Sequence, residues 1–416
     1  MNAPLPAQAS APRHAPMTQF PVENGCLVVG GKPLTLLAEA AGRTPFYAYD
    51  RRLIVERVQA LRAALPGVRL HYAMKANPMP ALVCHMARWV DGLDVASAGE
   101  LRIALDAGAD PQDISFAGPG KSAVELRQAV AAGVLINLES FREVELLEGI
   151  ARELGVPARV AVRVNPDFEL KASGMKMGGG AKPFGVDAER VPQLLERIGA
   201  AGLAFEGFHL FWGAQSLKAE AICDAQRQAF DLALRLAEHA PAPVRVLNLG
   251  GGLGIPYFPG ERRLDLAPVA SNLARLVERA AQLLPEAGLV LELGRYLVGE
   301  AGVYVCRVLD RKLSRGQVFL VTDGGLHHHL AASGNFGQVL RKNYPVAIGN
   351  KMDSPQREIA SVVGPLCTPL DVLADRMELA QAEPGDLVVV FMSGAYGYSA
   401  SPLGFLGHPP PLEMLV

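Results

Sequence analysis

The sequence predicts an α/β fold, a (β/α)₈ TIM barrel followed by a C-terminal, mostly-β domain. From about residue 45, short apolar runs closed by Gly, Pro or Asn alternate with segments of helical period, a beat that requires parallel strands joined by helical crossovers. Repeated over roughly 250 residues, the beat suits a closed barrel. After residue 300 the texture changes to β-rich runs on long connections, with few patterns of helix length.

In chain order, residues 1–19 are Pro- and Ala-rich without apolar period and read as a disordered tail. Residues 20–48 (CLVVGGKPL, PFYAYD) read as strands and turns that complete the β domain. The barrel is assigned to residues 49–300. It opens with RLHYAMKANP and a helix near 79–90, then GLDVASAGE with 97–107, ISFAGPG with 122–132 and VLINLES with 140–153. It continues through ARVAVRVNP with 187–200, LAFEGFHLF with 217–239 and VRVLNLGGG with 266–284, and closes on LVLELGRY. Residues 301–416 form the second domain, with strands in VYVCRVLDRKL, QVFLVTD, REIASVVGP and DLVVVFMSG.

The 416 residues are 50% hydrophobic and 20% charged, enough to bury a large core. Forty Lys+Arg against 42 Asp+Glu leave a formal charge of −2 with no basic block, which argues against nucleic acid and anionic membranes as partners. No apolar run approaches the roughly 18–20 residues of a bilayer span, and the N-terminus lacks a secretory pattern, so a cytoplasmic protein is expected. Cys26, Cys84, Cys223, Cys306 and Cys367 are scattered and free of CxxC spacing, so neither a disulfide framework nor a metal site is expected.

In such a barrel, functional side chains project from the C-terminal ends of strands. Lys75 follows the first apolar run; it is either a solvated strand-end lysine or a partly desolvated amine of lowered pKa, able to attack an aldehyde. Gly250, Gly251 and Gly252 follow the seventh run, where free backbone N–H groups can approach an anion. Glu292 and Arg295, three apart after the eighth run, make either a structural ion pair or a carboxylate and a guanidinium for a pyridine nitrogen and a phosphate. His209 ends the sixth run, as a packed core histidine or one that stacks on a planar ring. Two patterns are decoys. SFAGPGKS (115–122) has Ser115 where a phosphate-binding Walker loop needs Gly. Adjacent histidines in LHHHLAAS (326–333) suit a polar loop or interface better than a metal.

Together these pieces resemble the fold-type III, alanine racemase-like pyridoxal-phosphate decarboxylases that act on diaminopimelate, ornithine and arginine. The resemblance spans residues 25–400 in one consistent order. It implies a cofactor, pyridoxal 5'-phosphate (PLP), in Schiff-base linkage to Lys75 of YAMKAN, with Asp94 of LDVAS beside it and His209 of FHLFWGAQ stacked on the ring. It further implies that Gly250, Gly251, Gly252, Arg295 and Tyr396 of GAYGYS hold the phosphate and that Glu292 keeps the pyridine nitrogen protonated, which favours decarboxylation over racemisation. Cys367 of GPLCTPLD matches the catalytic cysteine, which in that family enters the active site from the other subunit of a homodimer with shared sites.

The departures concern the substrate. Thr368 and Pro369 follow Cys367 where relatives carry a carboxylate for the distal end of the substrate, although Asp323 matches an aspartate that helps there in ornithine decarboxylases. Ala214 replaces a phosphate-contacting serine, and residues 164–187 carry a Gly- and Met-rich insertion. With residues 323–345, these features resemble the exosortase A-associated subgroup and decarboxylases of carrier-bound aminoacyl groups. The implied reaction is loss of the α-carboxylate from an amino acid, free or tethered to an acyl carrier protein. Free diaminopimelate, ornithine or lysine decarboxylation and racemisation on the same fold remain the alternatives.

Overall fold

A computed structural model describes residues 13–168, 175–176 and 178–416. Eight parallel strands close into a barrel: β1 (Val68–Ala73), β2 (Gly92–Val95), β3 (Ile114–Phe116), β4 (Leu135–Leu138), β5 (Arg159–Asn165), β6 (Ala204–Leu210), β7 (Val246–Asn248) and β8 (Gly288–Leu293). Each pairs with the next, and β8 returns to β1 through Glu292 opposite His71. Helices cover the outside, so the strands are buried on both faces and read as nearly unbroken apolar runs, as in VLNL and LVLEL.

The crossover helices begin where local chemistry starts them. Ser122 and Glu125 form a reciprocal capping box on Ala123–Ala132, and the Ser140 hydroxyl caps Phe141–Leu154 at the Glu143 N–H. Two helices are missing from the sequence reading. Arg51–Ala64 precedes β1 and is capped by Asp50. Leu34–Ala41, LTLLAEAA, lies inside the segment read as strands and turns; at eight residues with only Thr35 and Glu39 polar, it is too short to mark its period.

The C-terminal sheet comprises β9 (Gly302–Ser314), β10 (Gln317–Thr322), β11 (Val346–Ile348), β12 (Arg357–Val363), β13 (Val372–Ala380) and β14 (Leu387–Val390), in the order β11-β14-β9-β10-β12-β13. The early strand Phe46–Tyr49 pairs antiparallel with Gly302–Val305 of β9, and β15 (Leu412–Leu415) lies parallel to it on the other side. Chain ends are thus woven into one sheet around the fully buried Tyr47, Tyr49 and Tyr304.

Several expectations change here. Of the segment read as a disordered tail, residues 1–12 lie outside the described set. Residues 13–19 lie against the protein: the Arg13 carbonyl accepts from Gly260 N–H at 2.8 Å and Gln19 Nε2 donates to Glu300 O at 3.2 Å. Part of the 164–187 insertion, residues 169–174 and 177, is also outside the described residues. Lys121 of the Walker-like run is buried, donating to the carbonyls of Gly118 and Asn137 at 2.6 and 2.9 Å and pairing with Glu143 at 3.0 Å. His327, His328 and His329 lie in a turn but are buried, with His329 Nε2 2.9 Å from Ser393 Oγ. Burial holds all three imidazoles well below the ordinary histidine range, at about 3, 4 and 3.

Candidate active site

β1 ends at Ala73 and the chain enters a single 3₁₀ turn, Met74–Ala76. Met74 and Ala76 point into the core, which leaves Lys75 to project into the barrel mouth. Its Nζ lies 3.3 Å from Glu292 Oε1 and 5.3 Å from the Phe211 ring centre. Glu292 Oε2 is 3.0 Å from His209 Nε2, so one buried carboxylate joins the ends of three strands.

Burial pulls the Lys75 ammonium down, but the Glu292 carboxylate, with Tyr396, more than offsets it and leaves the amine above its ordinary value. The lowered pKa raised by the sequence reading is therefore corrected: Glu292 holds Lys75 charged. Burial pushes Glu292 up, yet Lys75 and His209 hold it far below the usual carboxylate range. Nor does Glu292 pair with Arg295. The Arg295 guanidinium sits 5.7 Å from the Tyr257 ring centre and 4.8 Å from that of Tyr396. Burial lowers it, and Tyr257, Tyr396 and Tyr344 more than restore it.

The glycine run crosses beneath this group. A Cβ on Gly251 would lie 2.0 Å from the Glu292 carbonyl oxygen, and Gly252, at φ +76°, would drive one to 2.4 Å from the Trp212 ring. Glycine is thus required here by packing alone, before any ligand is considered. Gly250 N–H is taken by Asn248 Oδ1 at 2.8 Å, whereas those of Gly251 and Gly252 have no acceptor among the described residues.

Tyr396 arrives from the C-terminal domain in a left-handed conformation, φ +53°, fixed by its N–H on the Ala76 carbonyl at 2.8 Å. Asn77 Nδ2 adds a bond to Gly394 O at 3.1 Å, so the turn carrying Lys75 is tied directly to the second domain. Lys75, Gly252, Glu292, Arg295 and Tyr396 then line one small cavity with Phe211 and Gln215. Beyond Gln215, Arg295 and Tyr396 a second cavity of about 240 Å³ opens, walled by Tyr257, Phe258, Phe336 and Tyr344.

Three of the sequence candidates, Asp94, Cys367 and Asp323, stand outside both cavities. Asp94 is buried on β2, with Oδ1 3.1 Å from His71 Nδ1; burial raises its pKa against the pull of His71. Cys367 is exposed on the β12–β13 loop and lines neither cavity. That loop is anchored by Asp371, which accepts from Leu326 and Leu366 N–H groups at 2.6 and 2.8 Å. Asp323 is taken by the Thr44 hydroxyl and by Arg307 N–H at 2.8 Å, and lines neither cavity. Sequence reasoning missed His71, Phe211 and Tyr257. Of these, His71 carried a signal: it breaks the apolar run of β1 two residues before the strand ends.

The residues fit an anionic aromatic aldehyde cofactor. A buried cation facing tyrosines, two unpartnered backbone N–H groups and a buried imidazole with a free Nδ1 converge with one lysine amine and one carboxylate. Comparison with known proteins agrees. Residues 51–299 match the family described as pyridoxal-dependent decarboxylase, pyridoxal binding domain. The chain is 39% identical over 379 residues to the L-glutamyl-[BtrI acyl-carrier protein] decarboxylase of Niallia circulans, covering 89% of this chain and 88% of that one. It is 33% identical over 385 residues to the diaminopimelate decarboxylase of Aquifex aeolicus, covering 91% and 88%. The crystal structure of diaminopimelate decarboxylase from Helicobacter pylori complexed with L-lysine superposes with a TM-score of 0.80 at 27% identity, over 92% of this chain and 94% of that one. The chain therefore belongs to the pyridoxal-dependent decarboxylases, carboxy-lyases whose cofactor is PLP.

Proposed function

We propose that this decarboxylase removes the α-carboxylate of an aminoacyl group tethered to an acyl carrier protein, in a homodimer whose two sites are shared. The observation that carries the substrate class is the 39% identity, over most of both chains, to an enzyme named for an acyl-carrier-bound glutamyl substrate. Two features of this chain support it. Thr368 and Pro369 offer no charge to a free distal ammonium, and the aromatic cavity beyond Arg295 can accept an extended neutral group. The alternative, a free diamino acid, would place its distal ammonium near Glu261, the carboxylate in that cavity's wall.

When bound, PLP supplies an electron sink for the pair left behind as CO₂ departs. Lys75 is the amine that would hold its aldehyde carbon. Glu292 would supply the fixed negative charge for the ring nitrogen, and His209, from the end of β6, would lie against the ring. Arg295, Tyr396 and the N–H groups of Gly251 and Gly252 would hold the phosphate, with Gly250 shaping the turn. Asp94 lies behind this layer. Cys367 of a second copy returns the proton to Cα as general acid; its exposure at the end of an anchored loop is what a group supplied to a neighbour requires. Among the described residues no helix is long and apolar enough to cross a membrane, and the five free thiols fit a reducing, cytoplasmic setting.

The test is release of labelled CO₂ from α-carboxyl-labelled glutamate loaded on an acyl carrier protein, beside the free amino acids glutamate, lysine, ornithine and diaminopimelate. Turnover of the loaded carrier alone is expected. Equal or faster release from a free diamino acid would refute the tethered substrate.

A further inference from the structure

Behind the catalytic layer lies a buried histidine–carboxylate pair, His71 and Asp94, whose role is open. His71 and Glu292 are direct partners across the β8–β1 ladder, so their side chains share the inner face of the barrel. Ala73 and Asp94 are partners across β1–β2, which brings the Asp94 carboxylate to the same face. His71 Nδ1 and Asp94 Oδ1 are 3.1 Å apart, with both side chains 7% exposed. Gly92 makes room for the imidazole: a Cβ there would lie 2.5 Å from His71 Cε1 and Nε2. His71 Nε2 and Asp94 Oδ2 are buried without hydrogen-bond partners.

We infer that His71 is a positioning residue for the cofactor site: through Asp94 it fixes a second negative charge beside Glu292. When Asp94 is ionised it can only accept, and His71 Nδ1, 3.1 Å from Oδ1, is then the donor. Without that donor, a carboxylate buried this deeply takes up a proton and its charge is lost. The charged and titratable groups that act on it besides His71 are Glu292 on β8 and His209 on β6; Lys75 and Arg163 act on Glu292, and Arg163 is itself paired to Glu139 at 2.9 Å. With Asp94 ionised, a second negative charge stands beside Glu292; with it neutral, Glu292 stands alone, and any cation held at the ring nitrogen is less stabilised.

The experiment uses His71→Leu, which removes the donor, His71→Asn, which restores an N–H, and Asp94→Asn, which removes the charge while keeping the side chain's shape. Apo protein is titrated with PLP by absorbance and fluorescence, and the visible band of the holoenzyme is followed against pH. His71→Leu and Asp94→Asn are both expected to weaken PLP binding about ten-fold and move the spectral midpoint to lower pH, with His71→Asn recovering most of both. Wild-type PLP affinity and spectral midpoint in His71→Leu, or in Asp94→Asn if the leucine variant does not fold, would overturn the inference. A lowered melting temperature with an unchanged spectrum would reduce the pair to a structural one.

Discussion

Glu292→Gln tests what holds Lys75 charged. Two unit charges about 4 Å apart interact by about 4 kcal/mol at an effective dielectric of 20. The amine and carboxylate are 3.3 Å apart, but the Lys75 side chain is 45% exposed while that of Glu292 is 5% exposed. Water on the lysine side screens the pair, leaving about 1.4 kcal/mol, which is roughly a ten-fold change in the fraction of free amine. In the glutamine variant the burial that favours neutral Lys75 is no longer opposed by this carboxylate. The assay is modification of the apo protein by a small neutral acylating reagent at pH 8, with Lys75 read by peptide mass against the exposed Lys312 as internal reference. Glu292→Gln is expected to speed acylation of Lys75 about ten-fold with Lys312 unchanged. Equal Lys75 rates in the two proteins would show that Glu292 does not hold the amine charged, and the electrostatic account of the site would fail.

Lys121→Met breaks a buried pair whose lysine side chain is 1% exposed and leaves Glu143 uncompensated, so a loss of about 3–5 kcal/mol is expected in urea unfolding. If shared sites are correct, co-expression of Lys75→Ala with Cys367→Ala gives mixed dimers carrying one intact site each, restoring about a quarter of wild-type activity where each variant alone has almost none. Cys367→Ala itself should unfold at the wild-type temperature, because the thiol is exposed. Acid should destabilise the fold through its buried histidines. His329 stays neutral down to about pH 3 in the folded state, whereas in the unfolded chain it takes up a proton near 6.5; its contribution is whole above that pH and is lost as pH falls. At pH 5 the loss is about 2 kcal/mol, which His329→Gln should remove from the difference in stability between pH 7.5 and pH 5.

The strand–helix beat is a local property, since parallel strands buried on both faces must be apolar along their whole length and bounded by turn residues. That is why the barrel strands and the positions of Lys75, His209, Glu292 and Arg295 at strand ends were legible. The identity of the glycines was legible too, but its cause was not. Gly251 is dictated by the Glu292 carbonyl and Gly252 by the Trp212 ring, contacts between segments distant along the chain. Leu34–Ala41 escaped because a short apolar helix and a buried strand look alike along the chain.

By itself the sequence determined the order of chemistry-bearing residues along the chain, because each sits where a strand must end. Only the tertiary structure decided which of them meet. Ring closure sets Glu292 opposite His71 and within reach of Lys75 and His209, and the ladder from β1 to β2 brings Asp94 to His71. The return of the C-terminal domain lays Tyr396 on the Ala76 carbonyl beside Arg295. Protonation followed the same division: a lysine at a strand end can be pushed either way by burial, and a carboxylate 217 residues later in the chain decides the sign.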